Sequence, residues 1–501
     1  MRNARKQSSA EMLLRVAPYA AALIGIAVYL RSVNGPFIWD DGILIEQLEQ
    51  REGQSFWSIF TTGFFTRPFG GGADYYRPLI IASFIADLAL WNHNTLGYHL
   101  LNLVLHGFTV LAVGLLTWLT LRNRIAAAGA ALLFAVYPVH AESVCWISGR
   151  TDVFCVMFLL FGLCAYLAYR QQGRKALLAA SLVLVALALL SKEIALLSPV
   201  LVVMVGRLAG ERSYRRLILD AIPYAILGVI FFVVRSMVLS QNEPIEVPAS
   251  ALARVAIVIW SVVTHFQILV IPSTGKLGYQ LNLMGILGPR ILAVFFGLIV
   301  LFTAAWSNRR RFPMPFFAVL WFLITIAPVS GILGLLSSSL VAQRYLYVPS
   351  VGMAILFGWL AATALESRKS IVRLPAMLVL LSIVVGFSVM SVRQSAFYAN
   401  ELRFWSQMVV DTPVHPSAHY DLGIAYQREG RHREAIEAYR RATELDPSLA
   451  DGYYGAAKSY ADLGEYDKAI EHIDKALELS PDNELYQQVR AYIIHRRDQN
   501  R

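Results

Sequence analysis

The sequence predicts an all-α protein in two parts, a polytopic membrane part over residues 1–394 and an α-solenoid over residues 395–501. Three observations predict it. Of 501 residues, 56% are hydrophobic and only 16% charged, against about 25% charged in ordinary soluble proteins, so water-soluble cores alone do not account for the chain. Apolar stretches of about 20 residues, the length a hydrocarbon core demands, recur through the first part. The charge then changes sign: residues 1–394 hold 31 Lys+Arg against 16 Asp+Glu, and residues 395–501 hold 13 against 18. The formal charge of +10 therefore joins a basic part to an acidic one and gives no ground for a nucleic-acid partner.

The first span covers 13–30. No small-residue cleavage site follows it before Trp39, so it reads as an anchored helix and not as a removed signal peptide. Further spans over 97–121, 125–139, 150–170, 176–191, 193–207, 215–240, 287–306, 313–330, 345–365 and 371–391 bring the total to eleven. The apolar stretches 78–91 and 251–271 are read as interfacial or re-entrant helices, because counting either as a span breaks the alternation of loop charge. Basic clusters at Arg122/Arg124, Arg170/Arg174/Lys175, Arg207 to Arg216, Arg309 to Arg311 and Arg368/Lys369/Arg373, with Arg2, Arg5, Lys6 and Arg15, total 19 basic residues beside four acids. By the positive-inside rule this face is cytoplasmic. The other face is balanced, twelve basic against twelve acidic, and takes the loops 34–77, 140–152, 191–193, 241–286 and 331–344 together with the C-terminal part.

That C-terminal part repeats with a period of 34: Gly430 and Gly464, Ala435 and Ala469, Ala442 and Ala476, Tyr420 and Tyr454, and Pro447 and Pro481 all pair at this offset. The period and residue types are those of tetratricopeptide repeats, in which small residues let two helices approach and Pro stops the second. A half-repeat containing Trp405 precedes them, and Leu485 to Arg497 suggests a third hairpin acting as a polar cap.

The residues able to do chemistry gather in the outer loops. Trp39-Asp40-Asp41-Gly42 follows the first span; two adjacent carboxylates there suit a general base or a divalent-cation site (Mg2+ or Mn2+), and equally an exposed Asp-Gly turn. Tyr75-Tyr76-Arg77-Pro78 comes later in the same loop, and His99, Asn102 and His106 fall on one face of the next span. His140, Glu142, Arg150 and Asp152 crowd a loop of about a dozen residues. There, idle charges are costly, unless Arg150 simply staples the loop to Asp152 or Glu142. Lys192, followed by Glu193, and Arg344, in Gln343-Arg344-Tyr345-Leu346-Tyr347, run against the positive-inside trend. Such cations suit a phosphate at the lipid surface; snorkelling anchors are the alternative. Cys145, Cys155 and Cys164 make no metal spacing, and no nucleotide-binding motif is present.

In order along the chain, WDD, YYRPL, GYHLLNLVLH, YPVHAES with GRTD, SKE and AQRYLYVPSVG, followed by the repeats, resemble the transmembrane-and-tetratricopeptide-repeat (TMTC) proteins. These are protein O-mannosyltransferase-like enzymes of the GT-C glycosyltransferase fold. The resemblance covers nearly the whole chain. It implies transfer of a sugar from a polyprenyl-phosphate carrier to an acceptor, a protein or peptide engaged by the repeats, on the non-cytoplasmic side of the bilayer. It also implies catalytic roles for Asp40 and Asp41, Asp41 by preference, as the base. Donor-phosphate binding falls to Arg344, Lys192, Tyr345, Tyr347 and Arg77, and lining or ordering of the site to His140, Glu142, Arg150, Asp152, His99 and Glu193. Eukaryotic members carry a longer repeat array; the short array and compact loops here mark a bacterial-type member, placed in an inner membrane with a cytoplasmic N-terminus and periplasmic repeats. Two readings from other classes stand beside this one: a membrane-anchored repeat scaffold for an envelope or secretion complex, for which eleven spans are superfluous, and a polyprenyl-linked glycan transporter, for which midplane charge is the expected mark.

Overall fold

The computed structural model describes residues 2–50, 56–64, 75–239, 250–273, 275–279, 288–331 and 340–500. Much of the loops expected over 34–77, 241–286 and 331–344 lies outside the described residues. Helices and turns make up the described chain, with no strand among the described residues. The chain divides into two compact units, residues 1–274 with 281–396, and residues 275–280 with 397–501.

In the first unit the helices are α1 (Arg2–Tyr29), α2 (Asp41–Glu49), α3 (Pro78–Trp91), α4 (Thr95–Leu121), α5 (Arg124–Ala135), α6 (Ala141–Cys145), α7 (Arg150–Gln172) and α8 (Lys175–Leu189). They continue with α9 (Ser198–Leu208), α10 (Tyr214–Val238), α11 (Ala251–Val270), α12 (Pro289–Ser307), α13 (Pro313–Ile326), α14 (Pro349–Leu365) and α15 (Ser370–Tyr398). Local chemistry sets many of their starts. Asn94, Asn123 and Ser213 cap α4, α5 and α10 through side-chain oxygens, and Pro stands in the first turn of α3, α9, α12, α13 and α14, where its missing N–H costs nothing.

Among the described residues, seven helical segments are long and apolar enough to cross a membrane: Met12–Asn34, Thr95–Leu121, Arg150–Gln172, Tyr214–Val238, Leu252–Val270, Pro289–Ser307 and Ser370–Tyr398. An eighth is counted if Arg124–Ala135 and Pro138–Cys145, bent by 52° at the intervening break, act as one. The apolar windows of α12 and α15 are only 6% buried within the protein, so lipid must cover them. The chain is a multi-pass membrane protein. Several expectations change: the spans read at 176–191, 313–330 and 345–365 are helices of 15, 14 and 17 residues, shorter than those just counted. The stretch read as interfacial over 251–271 is a helix of span length, because a single charge, Arg254, interrupts an otherwise apolar run. The span expected over 193–207 is instead a 3-10 turn, Glu193–Leu197, leading into the eleven-residue α9.

Helix α4 is central, packed on α1, α5 and α7, while α5 also lies along α14 and α7 along α8. Small residues permit the closest approach. A Cβ added to Gly358 of α14 would sit 2.1 Å from the Ala126 carbonyl oxygen of α5, the small-residue contact by which membrane helices associate.

The second unit stacks α16 (Glu401–Asp411), α17 (Pro416–Arg428), α18 (His432–Leu445), α19 (Ala450–Asp462), α20 (Tyr466–Leu479) and α21 (Glu484–Gln499). Gly430 and Gly464, one period apart, take left-handed φ values of 71° and 78° in the hairpin turns. The Tyr439 ring rests on Gly423 and Gly455, where an added Cβ would meet it at 2.5 and 2.6 Å. The expected third hairpin is the single helix α21, which buries Tyr486 and Ile493 against Ala457, Ala469 and Ile473. Asp411 of α16 accepts backbone N–H bonds from Leu277 and Gly278 at 2.5 and 3.2 Å.

Gly358→Ala should lower the melting temperature of the detergent-purified protein by several degrees, the effect of about 1–3 kcal/mol of overpacking. Gly386→Ala on α15, where nothing lies within 4 Å of the added Cβ, should leave it unchanged. Equal melting temperatures for both variants would contradict the α5–α14 contact.

Candidate active site

The turn into α2 is strained. Trp39 holds a left-handed backbone at φ 54°, costly for a bulky residue, and its ring meets the edge of Trp146 at 5.0 Å. This turn sends the two carboxylates different ways. Asp41 is fully buried. Its Oδ2 accepts the Ile38 N–H at 3.1 Å, and its Oδ1 accepts both the N–H (3.0 Å) and the hydroxyl of Ser148. Asp40 stands at the N-cap of α2, where an Asp normally bonds the first turn, yet makes no side-chain cap bond. Its Oδ1 is buried without a hydrogen-bond partner.

Arg344 and Arg77 act on the Asp40 carboxyl, and Lys192 shares the Tyr345 ring with Arg344; these three cations come from three chain segments, and each is paired with a carboxylate. Arg344 grips Glu142 through its guanidinium and, at 3.0 Å, through its backbone N–H. Lys192 Nζ lies 2.6 Å from Asp152 Oδ1, and Arg77 Nη2 3.2 Å from Glu193 Oε2. Aromatic faces carry the cations: Arg344 lies over Trp146 and Tyr345, Lys192 over Tyr345, and Arg77 over Tyr75 at 4.1 Å. The cations keep 10 to 18% of their side-chain surface exposed, so they are largely dry but still reachable. Burial raises the Asp40 carboxyl above the ordinary range, while Arg344 and Arg77 pull against that rise. Asp41 is pushed up to about 7, by burial first and by the neighbouring Asp40 second, with the bonds from Ser148 and Ile38 opposing. Burial works against the charge on Glu193, but Arg77 beside it holds its carboxyl below the usual range.

Other residues expected in the site are brought near it without facing it. Arg150 is fully buried and pairs with Asp87 of α3, not with Asp152 or Glu142; it also donates to the Tyr98 carbonyl oxygen at 3.2 Å. His99 bonds the Gly35 carbonyl oxygen at 3.2 Å. His140 bonds Ser350 and, with Tyr347 and His106, forms a buried aromatic group in which His106 Nδ1 and the Tyr347 hydroxyl are 2.8 Å apart. Arg150, His99, His140 and Tyr347, expected to line the site or bind phosphate, are all at most 1% exposed and pack against the loops that carry the charged groups. Tyr345, two residues from Tyr347 in the tight Gln343–Leu346 turn, faces the cations.

Sequence reading missed Ser148, Trp146 and Asp87. Asp87 alone had a visible mark, as the single charge in the apolar α3. Asn102 of α4 is a further positioning residue, its amide donating to the carbonyls of Trp146 and Ile147 at 2.9 and 3.2 Å. The Asp41 oxygens accept from N–H and O–H donors, and among the described residues no three His, Cys, Asp or Glu side chains are grouped to hold a metal.

A tetratricopeptide-repeat profile matches residues 420–484, and full-length comparison reaches the membrane part as well. The protein O-mannosyl-transferase F38B6.6 of Caenorhabditis elegans is 25% identical over 85% of this chain and 62% of its own length. The chain is a homologue of the TMTC protein O-mannosyl-transferases. Human TMTC1 is 26% identical over 86% of the chain and 55% of its own length, and human TMTC3 is 21% identical over 92% and 55%. The chain thus spans about half to three-fifths of the length of these TMTC relatives.

The Asp41 arrangement makes stability depend on pH. A carboxyl raised to about 7 in the fold keeps its proton where the unfolded group, near 3.9, has lost it, so its contribution is present below about pH 4 and is lost as pH rises to about 7. Melting temperature measured across this window should fall with pH in the wild type and flatten in Asp41→Asn; parallel profiles would contradict the assignment.

Proposed function

We propose that this chain is a membrane glycosyltransferase of GT-C type, which moves a sugar from a polyprenyl-phosphate-linked donor to an acceptor hydroxyl at the non-cytoplasmic face. The observation that carries the reading is the unmatched count in the charged cluster: Arg77, Lys192 and Arg344 each hold one carboxylate, and among the described residues Asp40 pairs with no cation and its buried Oδ1 has no hydrogen-bond partner. A lone carboxylate with a raised proton affinity is a general base. Largely desolvated cations with exposed tips are a phosphate clamp.

In this reading Asp40, and not Asp41, takes the proton from the acceptor hydroxyl as its oxygen attacks the anomeric carbon. The bond from that carbon to the carrier phosphate breaks, with inversion, and the electron pair leaves on the phosphate. Arg344 and Lys192, joined by Arg77 from the α3 end, take up that negative charge, with Tyr345 flooring the clamp. Asp41 holds the turn through Ser148. Glu142, Asp152 and Glu193 keep the cations extended and charged until the donor arrives. The protein O-mannosyl-transferase names of the relatives support hexosyl transfer. The repeat unit, which we place outside the membrane with the site, engages the acceptor protein or an assembly partner, as helical repeats do.

The protein reconstituted with polyprenyl-phosphate-linked sugars and envelope extracts should transfer sugar. Asp40→Asn should lower kcat/KM by at least about 100-fold, the scale of a lost general base, and Asp41→Asn by less. The wild-type rate should climb with pH as Asp40 loses its proton. In Arg77→Gln that limb should move to higher pH, because the removed cation had favoured the ionised form. Asp40→Asn activity within a few-fold of wild type would overturn the assignment.

A further inference from the structure

A second feature of the membrane unit lies at the opposite end of α1 from Asp40. Between α1, α5, α14 and α15 runs a crevice of about 410 Å³, within the size range of small-molecule sites. Ala17, Ala20 and Ala128 are among its lining residues, with Leu14, Phe357 and Leu381 beside them, and every lining side chain is apolar. Water has no polar partner in such a space, and leaving it empty would forfeit packing along four helices.

Basic residues stand close in sequence to one end of it: Arg15 and Arg124 adjoin the lining residues Leu14 and Ile125, and Arg368, Lys369 and Arg373 follow the lining residue Leu365 within eight positions. Among the described residues none of these five cations makes an ion pair, and the nearby Glu366 is turned to Asn123, whose amide donates to it at 2.7 Å.

We infer that this crevice binds one acyl chain of an anionic glycerophospholipid, whose headgroup phosphate is held by Arg15, Arg124 and Arg368. Charge selects the headgroup. Length selects the chain: from Leu14 to Ile24 the crevice follows α1 for about 15 Å at 1.5 Å per residue, one leaflet of a hydrocarbon core of about 30 Å, which suits an acyl chain better than a long polyprenyl tail. The site is separate from the charged cluster and does not depend on the transferase reading.

Native mass spectrometry tests it on the full chain, released from nanodiscs of equal phosphatidylglycerol and phosphatidylethanolamine. One phosphatidylglycerol should be retained per protein, in preference to phosphatidylethanolamine. Arg124→Gln with Arg368→Gln should lower that preference by about fivefold for each cation. Ala20→Phe, which fills the crevice, should displace the lipid altogether; if that variant does not fold, the double Gln variant alone decides. Equal retention of the two lipids, or a preference unmoved in the double variant, would overturn the site. So would recovery of a polyprenyl phosphate from it in protein taken directly from cell membranes.

Discussion

Charge placed beside a hydrocarbon core must be matched, and the membrane unit is organised around that requirement. Three cations at loop ends are held largely dry by three carboxylates from distant parts of the chain, Arg344 by Glu142, Lys192 by Asp152 and Arg77 by Glu193. Burying any one of these charges alone would cost several kcal/mol, so the loops must close on one another for the bundle to form at all. A deeper layer fixes the loops: Arg150 ties α7 to Asp87 of α3, Asn102 ties α4 to the turn at 146–147, and Asp41 ties the first loop to Ser148. Asp40 is what remains after every pairing is made. Of the two carboxylates without a cation partner, Asp41 is taken up by Ser148 and Ile38, and Asp40 is left over.

The class of the fold was legible because it rests on local quantities. Runs of apolar residues, the change of charge sign after residue 394 and the 34-residue period each lie within a short window, and each has its counterpart in the helices. The charged cluster was legible too, since Lys192 and Arg344 run against the trend of loop charge. The partners were not. Arg150 finds Asp87, 63 residues away, because the fold brings α3 against α7, and neither periodicity nor loop proximity encodes that choice. Asp40 and Asp41 are indistinguishable as residue types; the left-handed Trp39 turn alone separates the carboxylate that is tied down from the one left free. Tyr345 and Tyr347 differ in the same way, two positions apart in a tight turn and facing opposite surroundings. The helix over 251–270 reads as interfacial or re-entrant from loop charge and as a span from its length.

The repeat unit obeys a simpler rule. Glycines one period apart, Gly430 and Gly464, turn the hairpins, and the Tyr439 ring fits only because Gly423 and Gly455 carry no side chain. Such units rest on nearest-neighbour packing, so α16 at one end and α21 at the other complete the stack by burying Phe404 and Trp405, and Tyr486 and Ile493. This part of the molecule could be read almost directly from its sequence, since its contacts are short in range and recur.

The central claim is that the cations around Asp40 hold a phosphate while Asp40 faces the acceptor. A cryo-EM structure of the reconstituted protein with a non-transferable polyprenyl-phosphate sugar tests this most directly. Phosphate density is expected within hydrogen-bond reach of Arg344 and Lys192, with the anomeric carbon turned toward Asp40. Phosphate density bound elsewhere, with the Arg344–Glu142 and Lys192–Asp152 pairs undisturbed and Asp40 facing away from the sugar, would contradict it.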